Sequence, residues 1–214
     1  MKIDTLWIQP KYNGRESIKG MVGAKQLGYH VGWGLNPDIT RSAPIGSVEY
    51  CESWLKYLPK PDFAPIWLKD WFHRTIRIQY LKIADSDLFV KSAEKYKEFP
   101  AKIVKQGEIL PDSLLFLSEI VDFTQEWRYY VADGVVLATG WYDGNNEDAE
   151  APNLNINWPD GWCGAADFGR LSTGEIALVE CHHGYACGWY GEDHAAYAMW
   201  VIECWEDMKK SNQI

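Results

Sequence analysis

Nowhere is the chain apolar over the roughly 18 to 20 residues that a bilayer-spanning helix requires, so no helical membrane anchor is expected. The opening MKIDTLWIQPKYNG has no apolar core of the kind that secretion signals carry, which points to a cytoplasmic protein. Cysteine follows no framework: Cys51, Cys163, Cys181, Cys187 and Cys204 are odd in number and irregularly spaced, the pattern of free thiols in a reducing compartment. Positive charge is short as well. With 21 Lys and Arg against 30 Asp and Glu, the formal net charge of −9 opposes binding to nucleic-acid backbone or an anionic membrane, leaving room only for a local basic patch sized for one nucleotide. No internal repeat or low-complexity tract stands out.

What is present is an ordinary globular composition. With 47% hydrophobic and 24% charged residues, 214 residues suffice for one core or two small ones. The first 85 residues read as a small α/β unit: a strand at 6–9, a helix over 16–27 with Ile18, Met21, Val22 and Leu27 near helical spacing, Gly28 as its stop, and a strand at 30–33. A second helix is expected over 48–58, with Val48, Cys51, Leu55 and Leu58 on one face and KPDFAP ending it. From Asp87 the texture changes to strands at 88–91, 101–105, 114–121, 126–132 and 135–142, the last two joined by an Asp133-Gly134 hairpin signal. Residues 143–161 form a polar loop long enough to cover a site. The tail, 193–210, reads as a helix with Asp193 as N-cap, lysines at its end, and Ala195, Met199 and Ile202 inward. The expected division is 1–85 and 86–214, and the fold class is α/β (α+β).

The densest chemistry lies in ADFGRLSTGEIALVECHH. A strand carrying Asp167 returns through Ser-Thr-Gly to a strand on which Glu180 and His182, two apart, face the same way. The alternative is a plain hairpin with core side chains. Burial cost favours a site, because a carboxylate after the apolar run Ile176, Ala177, Leu178, Val179 is expensive to bury without a cation or donors. A hard divalent cation takes one or two protein carboxylates and fills its remaining positions with water and phosphates, so Asp167, Glu180 and His182 suggest nucleotide chemistry. CHHGYAC offers a minor zinc alternative, weakened because adjacent residues on a strand face opposite ways. Twelve Trp and twelve Tyr are unusually many, yet such rings more often fill core than line a pocket, and none is assigned a role.

Two lysines, Lys91 at the end of LFVK and Lys97 six residues on, are potential phosphate holders; each alone is an ordinary solvated lysine. LLFLSEIV leads to Glu119, and Glu126 follows seven residues later in EWRYYV with Arg128 on its face, which alone reads as an edge-strand ion pair. Taken in order, Lys91, Glu119 to Val121, Glu126, Asp167, Glu180 and His182 resemble the ATP-grasp superfamily, in its short branch found in bacteria and their phages. PIGSVEYCESWL, FVKSAEKYKEF, EWRYYV and VECHHGYACGWYGED carry the same likeness, which covers nearly the whole chain.

The resemblance implies an ATP-grasp fold: residues 1–85 as a pre-ATP-grasp unit, and 86–214 as two α+β subdomains that sandwich ATP. It implies that Lys91 and Lys97 hold phosphates, that Glu119, Ile120 and Val121 read the adenine, and that Glu126 takes the ribose. Asp167, Glu180 and His182 would hold Mg²⁺, with Mn²⁺ as the alternative, while Arg128 and Lys97 neutralise charge in catalysis. The implied reaction is ADP-forming ligation: a carboxylate takes the γ-phosphoryl group, and the acylphosphate is captured by an amine. No dedicated protein nucleophile is then needed, and Cys163 and Cys181 read as bystanders. Two departures matter. His182 stands where the family usually has Asn, a softer donor that puts metal preference in question. SAEKYKEF is lysine-rich where larger relatives have a glycine-rich lid, so side chains would cover the phosphates. The substrates are an unidentified carboxylate and amine, peptide or small molecule; Lys69, Arg74 and Arg77 are equally surface charges or candidates to meet the carboxylate. A non-catalytic nucleotide-binding or host-interaction protein on the same scaffold and a phosphotransferase are the alternatives, and oligomeric state stays open.

Overall fold

The structure, a computed structural model, describes residues 2–212 except 13, 35, 36, 56, 59, 97 and 146–148. By internal contacts the chain divides into two units: Met1–Pro59, Trp127–Ala166 and His182–Ile214 form the first, Lys60–Glu126 and Asp167–Cys181 the second.

The first unit opens with β1 (Thr5–Ile8), α1 (Arg15–Gln26), β2 (His30–Trp33) and β3 (Ser42–Ile45), giving a parallel sheet in the order β2-β1-β3. The pattern around 42–45 had given no strand signal. Pro44 has no N–H to donate, which an edge strand tolerates because one of its sides needs no ladder bond. α1 also turns differently from its apolar spacing. Ile18 is 61% exposed and Val22 is exposed, whereas Ser17, Gly20, Gly23 and Ala24 are buried. The small residues face inward because α1 packs closely on α3 (His194–Ser211): a Cβ on Gly23 would lie 1.7 Å from the His194 carbonyl oxygen.

α2 (Val48–Glu52) is shorter than expected, capped by the Ser47 hydroxyl, which accepts from Tyr50 N–H; Leu55 and Leu58 still reach the core beyond its end. α3 starts at Asp193 as expected, its carboxylate accepting from Ala195 and Ala196 N–H. Its inward stripe is Tyr197, Trp200, Val201, Cys204, Trp205 and Met208, with Ile202 also buried, while Met199 is exposed and Ala195 only part-buried. Rings that bury about 150–250 Å² each outweigh Ala and Met in setting a face. The Trp200 indole N–H also donates to Val131 and Gly164 carbonyls at 3.1 and 2.9 Å.

The second unit holds a 3₁₀ turn (Ile66–Trp71), β4 (Ile76–Gln79), β5 (Leu88–Ser92), β6 (Lys102–Val104) and β7 (Leu115–Ser118) in an antiparallel sheet ordered β4-β7-β5-β6. Leu88, Val90, Val104, Leu115 and Leu117 form its core. β4 carried no expectation, and its pairing with β7 puts the boundary drawn after residue 85 inside a sheet.

A third sheet, β11-β10-β8-β9, comprises β8 (Phe123–Ala132), β9 (Val135–Gly144), β10 (Gly164–Leu171) and β11 (Ile176–His182). The division into units passes along β8, β10 and β11. Asp133 and Gly134, at φ 49° and 72°, supply the two left-handed residues of the tight β8–β9 turn. Gly174, at φ 96°, turns the chain from β10 to β11. Among the described residues no helix is long and apolar enough to cross a membrane. The fold is the mixed α/β class expected.

Candidate active site

β5 alternates, sending Leu88, Val90 and Ser92 inward and Lys91 to the other face. There the Lys91 ammonium lies 4.5 Å from the centre of the Phe116 ring and 4.9 Å from that of Phe63, and it pairs with the Glu180 carboxylate. The two side chains are 15% and 22% exposed, so the pairing offsets much of the desolvation that an acid after an apolar run incurs.

Asp167 on β10 is buried, and ligand atoms of Asp167, Glu180 and His182 all lie within 4.8 Å of one another. Among the described residues this is the cluster of potential ligands that forms, and no cysteine belongs to it. Cys181, between Glu180 and His182, is buried, and burial with Asp167, Asp62 and Glu180 nearby pushes its thiol well above the ordinary range. A thiol so placed stays protonated near neutral pH.

Arg128 on β8 is 8% exposed. It donates to the Cys187 sulfur at 3.1 Å and the Gly188 carbonyl at 3.4 Å, and its guanidinium faces the rings of Tyr142 and Tyr190 at 5.4 and 5.3 Å. Its Nη2 lies 3.1 Å from His182 Nε2. Arginine can only donate, so Nε2 accepts and its lone pair is engaged. A metal taking that nitrogen would have to displace the arginine.

Glu119, Ile120 and Val121 follow the end of β7 and are exposed or part-buried. The Glu119 carboxylate accepts from Thr75 N–H at 2.6 Å, and its own N–H donates to the Thr75 carbonyl at 3.2 Å, which fixes the start of this linker. Glu126, part-buried on β8, and Glu119 both act on Arg74, whose pKa burial lowers to about 10 against their opposing pull. Arg74 donates to the Phe72, Leu178 and Val179 carbonyls and stacks over Phe123. Arg77 forks onto Asp85 at 2.6 and 2.8 Å and holds that carboxyl down at about 2. Both arginines are thus committed to the protein rather than left for a carboxylate substrate; Lys69 is exposed. Lys97 lies outside the described residues. Sequence reasoning missed the aromatic surroundings of Lys91 and Arg128, as well as Cys187 and Gly188.

A family model described as "ATP-grasp domain, R2K clade family 2" matches residues 66–200. No curated protein matches the sequence. Among solved structures, the chain is similar to the ATP-grasp ligase PsnB complexed with its minimal precursor (TM-score 0.54, 7% identity, covering 95% of this chain and 100% of that one). It is also similar to a RimK domain ATP-grasp protein from Sphaerobacter thermophilus (TM-score 0.55, 9% identity, 92% and 99% covered). A third is the N5-carboxyaminoimidazole synthetase of Staphylococcus aureus (TM-score 0.50, 10% identity, 95% and 78% covered). At such identities the likeness is one of fold.

Proposed function

Because the chain belongs to the ATP-grasp domain family, R2K clade family 2, we propose that it is an ATP-dependent, ADP-forming carboxylate–amine ligase acting on a peptide, protein or small amino-acid-like substrate. The observation that carries this reading is the convergence of Asp167, Glu180 and His182, with Lys91 paired to Glu180. The solved complex of PsnB with a phosphomimetic precursor variant, Mg and ADP supports it by analogy of fold.

The donor set fits a hard divalent cation: two carboxylates suit Mg²⁺, and an imidazole beside them widens the choice to Mn²⁺. The chemistry such a cation supplies when bound is neutralisation of charge on phosphate oxygens. Lys91 binds phosphate oxygens from its aromatic seat, Arg128 stabilises charge on the transferred group, and Lys97 adds a third cation. Backbone of Glu119, Ile120 and Val121 reads the adenine, and Glu126 takes the ribose. In the first step a substrate carboxylate oxygen attacks the γ-phosphorus and ADP leaves. In the second an amine nitrogen attacks the acyl carbon, phosphate leaves with its bridging oxygen, and the amine proton passes to solvent. Residues 1–85 serve the substrate side and 86–214 the nucleotide and metal, with β4 grouped structurally with the latter. A cytoplasmic setting suits five cysteines of which none forms a disulfide.

A second reading, a nucleotide binder without turnover, draws on the engagement of His182 Nε2 by Arg128. The two are separated by titrating ATP with and without Mg²⁺ into the wild type and Glu180→Gln while following ADP release. The ligase reading expects magnesium-dependent binding and slow ADP release, both diminished in the variant. Binding with no ADP release even in the presence of cell extract selects the binder, and accumulation of a phosphorylated product selects a phosphotransferase.

A further inference from the structure

Within the first unit a cavity of about 130 Å³ opens beside the ends of β1 and β3, lined by residues that include Tyr12, Glu16, Gly46, Tyr185, Tyr197 and Trp200. Its place follows from topology. β2 and β3 lie on opposite sides of β1 and run parallel to it, so the chain order reverses there and the loops after β1 and β3 part. The crevice at the carboxyl ends of strands at such a reversal is the usual ligand position in open α/β sheets. The crevice is firmly built. Gln9 ties the two loops together, donating its N–H to the Ile45 carbonyl at 2.9 Å and accepting from Ser47 N–H at 2.7 Å through its side chain. Gly46 is needed for that approach, since a Cβ there would meet the Gln9 side-chain oxygen at 2.5 Å. The Ala186 backbone, in the lining, is held at φ 49°, a conformation that non-glycine residues rarely adopt.

The lining has one charge of one sign. Glu16 is acidic, and none of the lining residues is Lys, Arg or His. Two cations of this unit are engaged elsewhere: Lys19 donates to the Trp189 carbonyl at 2.9 Å, and Arg128 donates to Cys187, Gly188 and His182. Trp189 N–H reaches Glu16 only at 3.4 Å. An acid and four aromatic side chains around one cavity are the groups from which proteins build cation-recognising cages for ammonium ions. The volume resembles cavities of about 150 Å³ that admit a benzene ring, enough for a small head group and far short of a nucleotide.

We propose that this cavity binds a small amine as its ammonium ion, with the Glu16 carboxylate as counter-charge and the rings of Tyr12, Tyr185, Tyr197 and Trp200 as its walls. As the amine half of a ligation it rests on the ligase reading; as a binding site it stands without it. Cys187 and Gly188, which take the Arg128 guanidinium, also line the cavity, so the amine would sit one residue layer from Arg128.

The test is calorimetric titration of n-propylamine, propionate and 1-propanol into the nucleotide-free protein, with amide and indole NMR shifts read in the same samples. Propylamine is expected to bind at millimolar concentration and to shift the Trp200 indole and Gly188 amide. Propionate and propanol should bind about tenfold more weakly or worse, and Glu16→Gln should weaken propylamine by about tenfold. The wild-type selectivity and shift map do not depend on how any variant folds. Equal binding of propionate or propanol, shifts that map elsewhere, or unchanged affinity in a folded Glu16→Gln overturns the proposal. ATP titrated separately keeps the two readings apart. Amine selectivity without ATP binding removes the ligase and leaves the amine site; ATP binding without amine selectivity does the reverse.

Discussion

Replacing Lys91 with Met should move two affinities in opposite directions. Lys91 is the counter-charge of Glu180, so a metal using that carboxylate competes with the ammonium for its charge. At 15% and 22% exposure the pair lies between an exposed ion pair, worth ~0.2–1 kcal/mol, and a buried one whose one-sided loss costs ~3–5 kcal/mol. A value of ~1.5 kcal/mol follows, and a metal freed from the competition gains about tenfold in affinity. Nucleotide affinity moves the other way. Losing one charge-assisted contact to a phosphate, worth ~1.5–3 kcal/mol, weakens ATP by roughly 10- to 150-fold. The assay is Mn²⁺ titration by electron paramagnetic resonance on nucleotide-free wild type and Lys91→Met, followed by calorimetry with ATP. Metal affinity that is unchanged or weaker in the variant would refute the competition, and unchanged ATP affinity would refute the assignment of Lys91 to phosphate.

Three further outcomes are expected. Gly23→Ala, which places a methyl 1.7 Å from the His194 carbonyl oxygen, should force α1 off α3 and destabilise the protein by ~3 kcal/mol, a loss visible in the urea midpoint; a midpoint within error of wild type would mean the helices are not so closely apposed. His182→Asn keeps an acceptor for Arg128 and offers a harder oxygen, so the ratio of Mg²⁺ to Mn²⁺ affinity should rise; an unchanged ratio would put His182 outside the metal's ligands. Burial pushes the Cys51 thiol up to about 12, and those of Cys181 and Cys204 well above the ordinary range. Above the unfolded thiol pKa the unfolded chain sheds protons that the folded one keeps, so stability is full below about pH 8.5 and falls by up to ~1.4 kcal/mol per pH unit per thiol as pH rises toward the folded values. Urea midpoints between pH 8 and 10 check this, with Cys51→Ala expected to flatten the slope; a flat wild-type profile would contradict it.

What could be read from sequence was local. Glu180 and His182 share a face because strand side chains alternate, and Asp167 is one hairpin away, so spacing alone groups the three. β2, the β8–β9 turn at Asp133-Gly134 and the cap at Asp193 were legible for the same reason. The aromatic seat of Lys91 was not, because Phe116 stands opposite Lys91 only through the β5–β7 register, and that pairing joins residues 25 positions apart in the chain. The face of α1 misled because its apolar residues obey helical spacing while its glycines make the contact; hydrophobic periodicity has no term for close backbone approach. β3 escaped because a strand of Ser-Ala-Pro-Ile reads as a turn until its place at a sheet edge is known.

In this conformation two cations of the candidate site are already engaged by groups of that site: Lys91 by Glu180, and Arg128 by His182. On the proposed assignment a nucleotide phosphate would compete with Glu180 for Lys91, and a metal held by Asp167 and Glu180 would compete with Lys91 for the carboxylate. Each binding event alone gives up the ion pair, which partial burial makes worth keeping, and the two together offset that loss. The coupling must be reciprocal: whatever factor Mg²⁺ adds to the affinity for ATP, ATP adds to the affinity for Mg²⁺. The ion pair between Lys91 and Glu180 would thus weaken binding of either component alone by about tenfold and favour the two together.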